Sequence, residues 1–187
     1  MALSPEILGQ IEEFVRRGFE TRDEIVEIFS EELYRPGELD AAEVASAVDA
    51  ALAVLESEKA TWPSLTDCDK LDNAFTALGA RGIVGLQNAG FTQSDGYEDF
   101  RDVYENLPRR DKIIGYCFYH GQDLERAVKG QGLHLAFGPA DPKNEEVEGP
   151  RVGAVIIEEL ARAGFVAQWN GTFGHRIFVP KIDWKRR

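Results

Sequence analysis

Residues 113–138 of this chain read IIGYCFYHGQDLERAVKGQGLHLAFG, and this stretch decides the fold class. Ile113–Tyr119 is rich in β-branched and aromatic residues, which favour a strand. Leu133–Phe137 predicts a second strand, and Asp123–Lys129 between them can form two helical turns. Strands interleaved with helices predict a sheet covered by helices.

Outward from this stretch, helix and strand signals alternate over residues 64–187. Gly82 and Pro108 mark helix ends, and Asn170-Gly171 is the dipeptide favoured by a two-residue type I′ hairpin. The further elements predicted are a helix from Asp67, a strand Ile83–Gln87, a helix begun by Ser94 and Asp95, a loop over 138–150, a helix Val152–Ala163, and strands Phe165–Trp169 and Ile177–Val179.

The first 60 residues predict three helices. Ser4 before Pro5 and Thr21 with Glu24 are start signals, and Asp40 followed by Ala- and Val-rich sequence is a third. The fold class predicted is α+β: this helical segment, then a two-layer ferredoxin-like (split βαβ) sheet with helices on one face. Two domains are expected, an acidic helical domain over 1–60 and an α/β ferredoxin-like domain over 64–187.

Charge is distributed unevenly along the chain. The net charge is −12, and residues 1–63 hold 15 acidic residues against 5 basic ones. An acidic surface repels phosphate, so direct nucleic-acid binding is not expected. Opposite potentials speed encounter, so the partner that such a surface favours is another protein with a basic surface. The alternative is that the acidic residues serve only solubility.

The apolar runs are short. Val152–Ile157 falls far below the roughly 20 residues that span a bilayer. The start of the chain has no basic stretch followed by an apolar one, so it does not indicate a secretory signal. Two cysteines without a disulfide framework favour a reducing compartment. We therefore expect a cytoplasmic protein without a membrane partner; the oligomeric state is left open.

A polar pocket is predicted where loops follow two strands. Such loops commonly hold ligands on a rigid scaffold. The alternative is an ordinary set of turn and cap residues. The candidate pocket residues are Gln87, Asn88, Ser94, Asp95, Cys117, Tyr119, His120, Gln122 and Asp123.

Cys117 and His120 suggest a nucleophile with its base, or two metal ligands. Residues three apart in a regular strand point to opposite faces, which argues against both ideas. If the strands carrying His120 and His134 are antiparallel, these residues, His175 and Asp123 could converge on a metal. Zinc prefers four nitrogen or sulfur ligands, whereas this chain offers three histidines and two cysteines on elements whose side chains mostly point apart. We therefore predict no metal and no effect of chelator on the melting temperature. No catalytic residue and no cofactor are predicted either.

Four blocks carry a resemblance to a known family. They are GFETRDEIVEIF (18–29), TDCDKLDNAFTALGARGIV (66–84), QNAGFTQSDG (87–96) and GYCFYHGQDLERAV (115–128). They resemble an uncharacterised bacterial domain-of-unknown-function family, which implies no activity. The segment VIIEELARAGFVAQWNGTF (155–173) is similar in layout to the protein regulators of ribonuclease E activity, which are acidic ferredoxin-like proteins that bind an enzyme.

The sequence therefore favours a non-enzymatic regulatory or protein-binding module. The alternative is a small-molecule-binding domain or enzyme that uses a polar pocket around Cys117, His120 and Asp123.

Overall fold

The computed structural model describes residues 3–187 and divides the chain into two compact units. The helical unit comprises residues up to 66 together with residues 184–187, and the α/β unit comprises residues 67–183. Residues 184–187 thus belong with the helices, whereas the sequence-based division placed them in the α/β part.

The helical unit is built from α1 (Pro5–Arg17), α2 (Arg22–Glu27), which continues as one π-helical turn over Ile28–Glu32, and α3 (Ala41–Lys59). The predicted start signals are confirmed. Ser4 Oγ accepts a hydrogen bond from Ile7 N at 3.3 Å, and Thr21 forms a capping box with Glu24. The apolar stripes of the helices cover one another, and the buried residues are Ile11, Val15, Ile25, Phe29, Val44, Val48 and Leu55.

The C-terminal residues pack on this helical unit. Trp184 Nε1 donates to the carbonyl of Arg17 at 3.2 Å, and the Arg186 guanidinium lies 4.2 Å from the centre of the Phe19 ring. Lys185, Arg186 and Arg187 add three basic side chains, so the unit holds 15 acidic and 8 basic residues, a net charge of −7. The helical unit therefore remains acidic.

The α/β unit contains one four-stranded sheet of order β1-β2-β3-β4. Its strands are β1 (Ile83–Leu86), β2 (Gly115–Phe118), β3 (Leu133–Pro139) and β4 (Ile177–Val179). β1 and β2 are parallel, and the other two pairs are antiparallel. The mixed α/β class is confirmed, but the ferredoxin-like order is not, because a split βαβ unit has a strand between its parallel strands and β1 here pairs directly with β2.

Helices cover both faces of the sheet. They are α4 (Asp67–Ala80), α5 (Gln93–Asn106), α6 (Gly121–Val128) and α7 (Glu145–Arg162). Gly115 faces Val152 of α7, whereas its neighbour Tyr116 packs edge-to-face on Tyr97 of α5. Successive side chains of a strand point to opposite faces, so α5 and α7 lie on opposite sides. The expected two-layer arrangement with helices on one face is not confirmed.

Two local expectations in the last third are wrong. α7 begins at Glu145 and contains Pro150, where a loop was expected; acidic residues in its first turn favour that start. The two-residue hairpin at Asn170-Gly171 does not form. Gln168 N donates to Phe178 O at 2.7 Å instead, which closes a longer loop, and Asn170 Oδ1 accepts from Thr172 N at 3.0 Å.

No helix within residues 3–187 combines the length and the apolar character needed to cross a membrane.

Candidate functional site

The loops after β1 and β2 lie side by side, as the polar-pocket hypothesis requires. Both strands run in the same direction, so their carboxyl ends meet at one edge of the sheet. Ala89 N donates to Tyr119 O at 2.9 Å, and Gly121 N donates to Gly90 O at 2.9 Å. Gln122 N donates to Phe91 O at 3.1 Å, which continues the pairing beyond the strands.

Gln87 and Tyr119 form a partly buried hydrogen-bonded chain at this edge. The Tyr119 hydroxyl donates to Gln87 Oε1 at 2.9 Å, and Gln87 Nε2 donates to Asp72 Oδ1 at 2.7 Å. The next residue, Asn88, has a φ of 52°, in the left-handed region that asparagine tolerates better than most residues. These groups hold the loop in shape and satisfy one another.

Asp95 caps the start of α5. The cap residue is Thr92, two residues before the expected start, and Asp95 Oδ2 accepts from Thr92 N at 2.8 Å and from Phe91 N at 3.2 Å. The hydrogen bond from the Thr92 backbone lowers the pKa of the Asp95 carboxyl. Ser94, in the first turn, is exposed. Two of the candidate residues therefore serve the helix start.

Asp123 is the centre of a buried ion-pair cluster. Its side chain has no exposed area, and Oδ2 accepts hydrogen bonds from Arg176 Nη2 and, at 3.0 Å, from His120 Nε2. Oδ1 lies 3.5 Å from Arg126 Nη1. The His120 backbone N also donates to Oδ2 at 3.4 Å. A buried charge requires such partners, because its desolvation costs several kcal/mol. Removing one partner of a buried pair costs about 3–5 kcal/mol.

His134 lies beside this cluster because β2 and β3 are antiparallel. Burial lowers the pKa of both His120 and His134, and the charge of Arg176 lowers both further, although Asp123 opposes the shift. His175 lies elsewhere, exposed, with Nδ1 3.1 Å from Thr172 Oγ1. Within residues 3–187, no group of three or more His, Cys, Asp or Glu side chains is arranged to hold a metal ion.

Cys117 is separate from His120. It is wholly buried, and burial raises the pKa of its thiol. Its neighbours Tyr116 and Phe118 pack on Tyr97 of α5, so Cys117 points to the other face of the sheet. Within residues 3–187, no hydrogen bond or ion pair joins Cys117 to His120.

A cleft lies next to the ion-pair cluster, over the edge of β3. The β3–β4 pairing ends at Leu135 and Ile177, so the chain beyond Leu135 borders the cleft. It has a volume of about 190 Å³ and is lined by Gln93, Tyr97, Ala136, Phe137, Phe173, Gly174 and Arg176. Sequence reasoning missed Arg176, Arg126 and Tyr97, because no local pattern distinguishes them from ordinary surface residues.

A groove lies between α1 and α3 of the helical unit. Its volume is about 280 Å³, and its lining is mostly aliphatic: Leu8, Glu12, Val15, Arg16, Ala47, Ala50, Ala51, Val54 and Leu55. Leu8 is 39% exposed and Val54 55% exposed. At one end, Arg16 forms a two-bonded ion pair with Glu58, at 2.7 and 2.8 Å. The groove is apolar in the middle and charged at this end.

The architecture and these sites describe a mixed α/β protein with an acidic helical unit. The model of the family described as "Domain of unknown function (DUF6891)" matches residues 2–187. The chain therefore belongs to this family. No curated protein and no solved structure matches it.

Proposed function

We propose that this protein is a regulatory, protein-binding module whose partner inserts a basic amphipathic helix into the groove between α1 and α3. The observation that carries the proposal is the aliphatic groove in an acidic unit. Grooves of this shape suit helices whose apolar side chains recur at i, i+3, i+4 and i+7.

The chemistry of the lining favours a helix as the occupant. Ala47, Ala50 and Ala51 are small, so they leave room for large side chains of a partner. Leu8 and Val54 stand partly exposed at the sides, where they lose contact with water when a helix docks. Burying such side chains contributes up to about 1.5–3 kcal/mol each.

The charge of the unit favours a basic partner. The unit carries a net charge of −7, and the exposed Glu12 lies within the groove lining. Lys and Arg on the polar face of a docked helix would meet this negative potential. Such complementarity raises the association rate and disfavours acidic partners.

Two synthetic helical peptides test this directly. They share a leucine face and differ in the polar face, which is lysine in one and glutamate in the other. We expect fluorescence anisotropy to show saturable binding of the lysine peptide alone. The double variant Leu8→Ser/Val54→Ser removes apolar area without changing charge, and it should weaken binding at least about tenfold, or 1.4 kcal/mol.

The matched control is Val166→Ser, since Val166 is 81% exposed but lies in the α/β unit. This variant should bind like the wild type. Equal binding of both peptides would refute the basic partner, and equal weakening by the control would refute the groove as the site. The natural partner should then be recovered from an extract by the wild type and by Val166→Ser, but not by the groove double variant.

A further inference from the structure

We infer that the cleft beside β3 is a binding site for a small organic carboxylate, with Arg176 as its anion-binding group. The inference concerns the α/β unit and does not depend on the proposed function of the helical unit. It also differs from the pocket expected around Cys117, His120 and Asp123, because Asp123 acts here only through Arg176.

The position of Arg176 is fixed from behind the cleft. Its Nη2 donates to Asp123 and, at 3.1 Å, to the carbonyl of His134. Within residues 3–187, these are its only hydrogen bonds, and Nε is buried without an acceptor. Guanidinium carries five N–H donors, so Nη1 keeps donors that a ligand can use. The side chain is 25% exposed and lines the cleft.

The local charge favours an anion. Arg176 and Arg126 share the single carboxylate of Asp123, which leaves one positive charge in the cluster. The neighbouring His120 and His134 remain neutral near pH 7, because burial and these arginines lower their pKa. A carboxylate in the cleft therefore adds a charge-assisted hydrogen bond without creating an uncompensated negative charge.

The walls of the cleft are held before any ligand arrives. Trp169 Nε1 donates to the carbonyls of Thr172 and His175, at 3.0 and 3.1 Å, which fixes the loop that carries Phe173. On the other side, the Tyr97 ring packs on Phe118 with centroids 5.2 Å apart. Gln93 Nε2 donates to the Tyr97 hydroxyl at 2.9 Å. Preorganised walls reduce the ordering cost of binding.

The size and lining of the cleft define the ligand class. About 190 Å³ is below the range of about 300–1,000 Å³ typical for drug-sized ligands, so the ligand is small. The Phe137 and Phe173 rings, 6.1 Å apart and nearly perpendicular, provide an apolar wall for its body. A carboxylate attached to a short aliphatic or aromatic group fits both features.

The experiment uses the full-length protein and four probes: acetate, benzoate, succinate and the neutral analogue benzamide. We expect two-dimensional NMR at constant ionic strength to show saturable shifts for benzoate at Gln93, Phe173 and the Arg176 Nε–H, with at least tenfold weaker binding of benzamide. Arg176→Lys should weaken benzoate binding at least tenfold. Arg126→Gln removes the charge that leaves the cluster positive but not the donor that lines the cleft, so it should weaken benzoate binding less than Arg176→Lys does.

Equal binding of benzamide would overturn the inference, because the site would then be only apolar. Absence of saturable shifts at the cleft with all three carboxylates would overturn it as well. Tyr97→Phe provides a second variant if Arg176→Lys does not fold: it keeps the ring packing and removes the hydroxyl, and it should still bind benzoate more tightly than benzamide. Peptide binding by the helical unit is measured separately, so failure of one site is distinguishable from failure of the other.

Discussion

The helical unit and the α/β unit use the same local device for different purposes. In the helical unit, the capping box of Thr21 and Glu24 is exposed and only starts a helix. In the α/β unit, Asp123 also accepts from the backbone N of a helix start, at His120, but it is buried and joined to two arginines. Burial thus converts a cap into a tertiary cross-link between α6 and the segment before β4.

Substitution of Asp123 should have the largest effect and tests this comparison most severely. Asp123→Asn leaves Arg176 without a buried counter-charge, so we expect a loss of about 3–5 kcal/mol in the free energy of unfolding. Thr21→Ala, in the exposed capping box, should cost only about 1 kcal/mol. The free energy of unfolding of each variant is measured in urea, with hydrogen exchange as the probe. Equal losses in the two variants would show that the buried ion pairs of Asp123 contribute no more stability than an exposed cap.

Two glycine substitutions should change stability in opposite directions. A Cβ at Gly96 of α5 would lie 2.3 Å from the Phe118 ring, so Gly96→Ala should destabilise the α/β unit by about 1–3 kcal/mol. A Cβ at Gly9 of α1 meets nothing within 4 Å, so Gly9→Ala should stabilise the helical unit by about 1 kcal/mol. Thermal unfolding of each variant checks the signs, and a stabilising Gly96→Ala would contradict the close packing of α5 on the sheet.

Lowering the pH from 7.5 to 5.5 should reduce the stability of the α/β unit more than that of the helical unit. The pKa of His120 and His134 is lowered in the folded state, mainly by burial, with Arg176 and Arg126 acting in the same direction and Asp123 against it. The unfolded chain therefore binds more protons below its histidine pKa of about 6.5, and stability falls as the pH falls.

Each histidine contributes at most about 1.4 kcal/mol per pH unit. His120→Gln and His134→Gln should each flatten the pH dependence of the urea midpoint. Full wild-type slopes in both the His120→Gln and the His134→Gln variants would show that these two histidines do not cause the acid sensitivity.

The smallest effect is expected for the groove residues of the helical unit. Leu8→Ser/Val54→Ser alters side chains that are already partly in water, so the free energy of unfolding should change by less than about 0.5 kcal/mol per site. Peptide binding should nevertheless weaken as proposed above. A large loss of stability in a melting experiment would mean that these side chains belong to the core of the unit.

Local sequence signals were sufficient for much of the fold. Ser4, Thr21 and Asp40 cap helices as expected, because a cap depends on a side chain and on backbone groups two or three residues away. The same reasoning placed the four strands of the sheet correctly. The fifth predicted strand, Phe165–Trp169, contributes only the single bridge of Gln168. It misplaced the start of α7, since the acidic residues before Pro150 resemble both a loop and a first helical turn.

The candidate site was predictable only in part. The loops around Asn88 and His120 meet because β1 and β2 are parallel, and the sequence placed both after strands. That Asp123 would be buried with Arg176, 53 residues later in the chain, depends on which strand stands beside β3. No pattern within either segment carries that information, so the ion-pair cluster and its cleft could not be anticipated.

By itself, the sequence determined the three helix starts of the helical unit, the acidic character of the first 63 residues and the mixed α/β class, because each depends on neighbouring residues or on composition. The tertiary structure alone decided the strand order, the helices on both faces and the joining of Asp123, Arg126 and Arg176. Those features depend on contacts between distant segments, whose geometry follows from packing the whole sheet and not from any local preference.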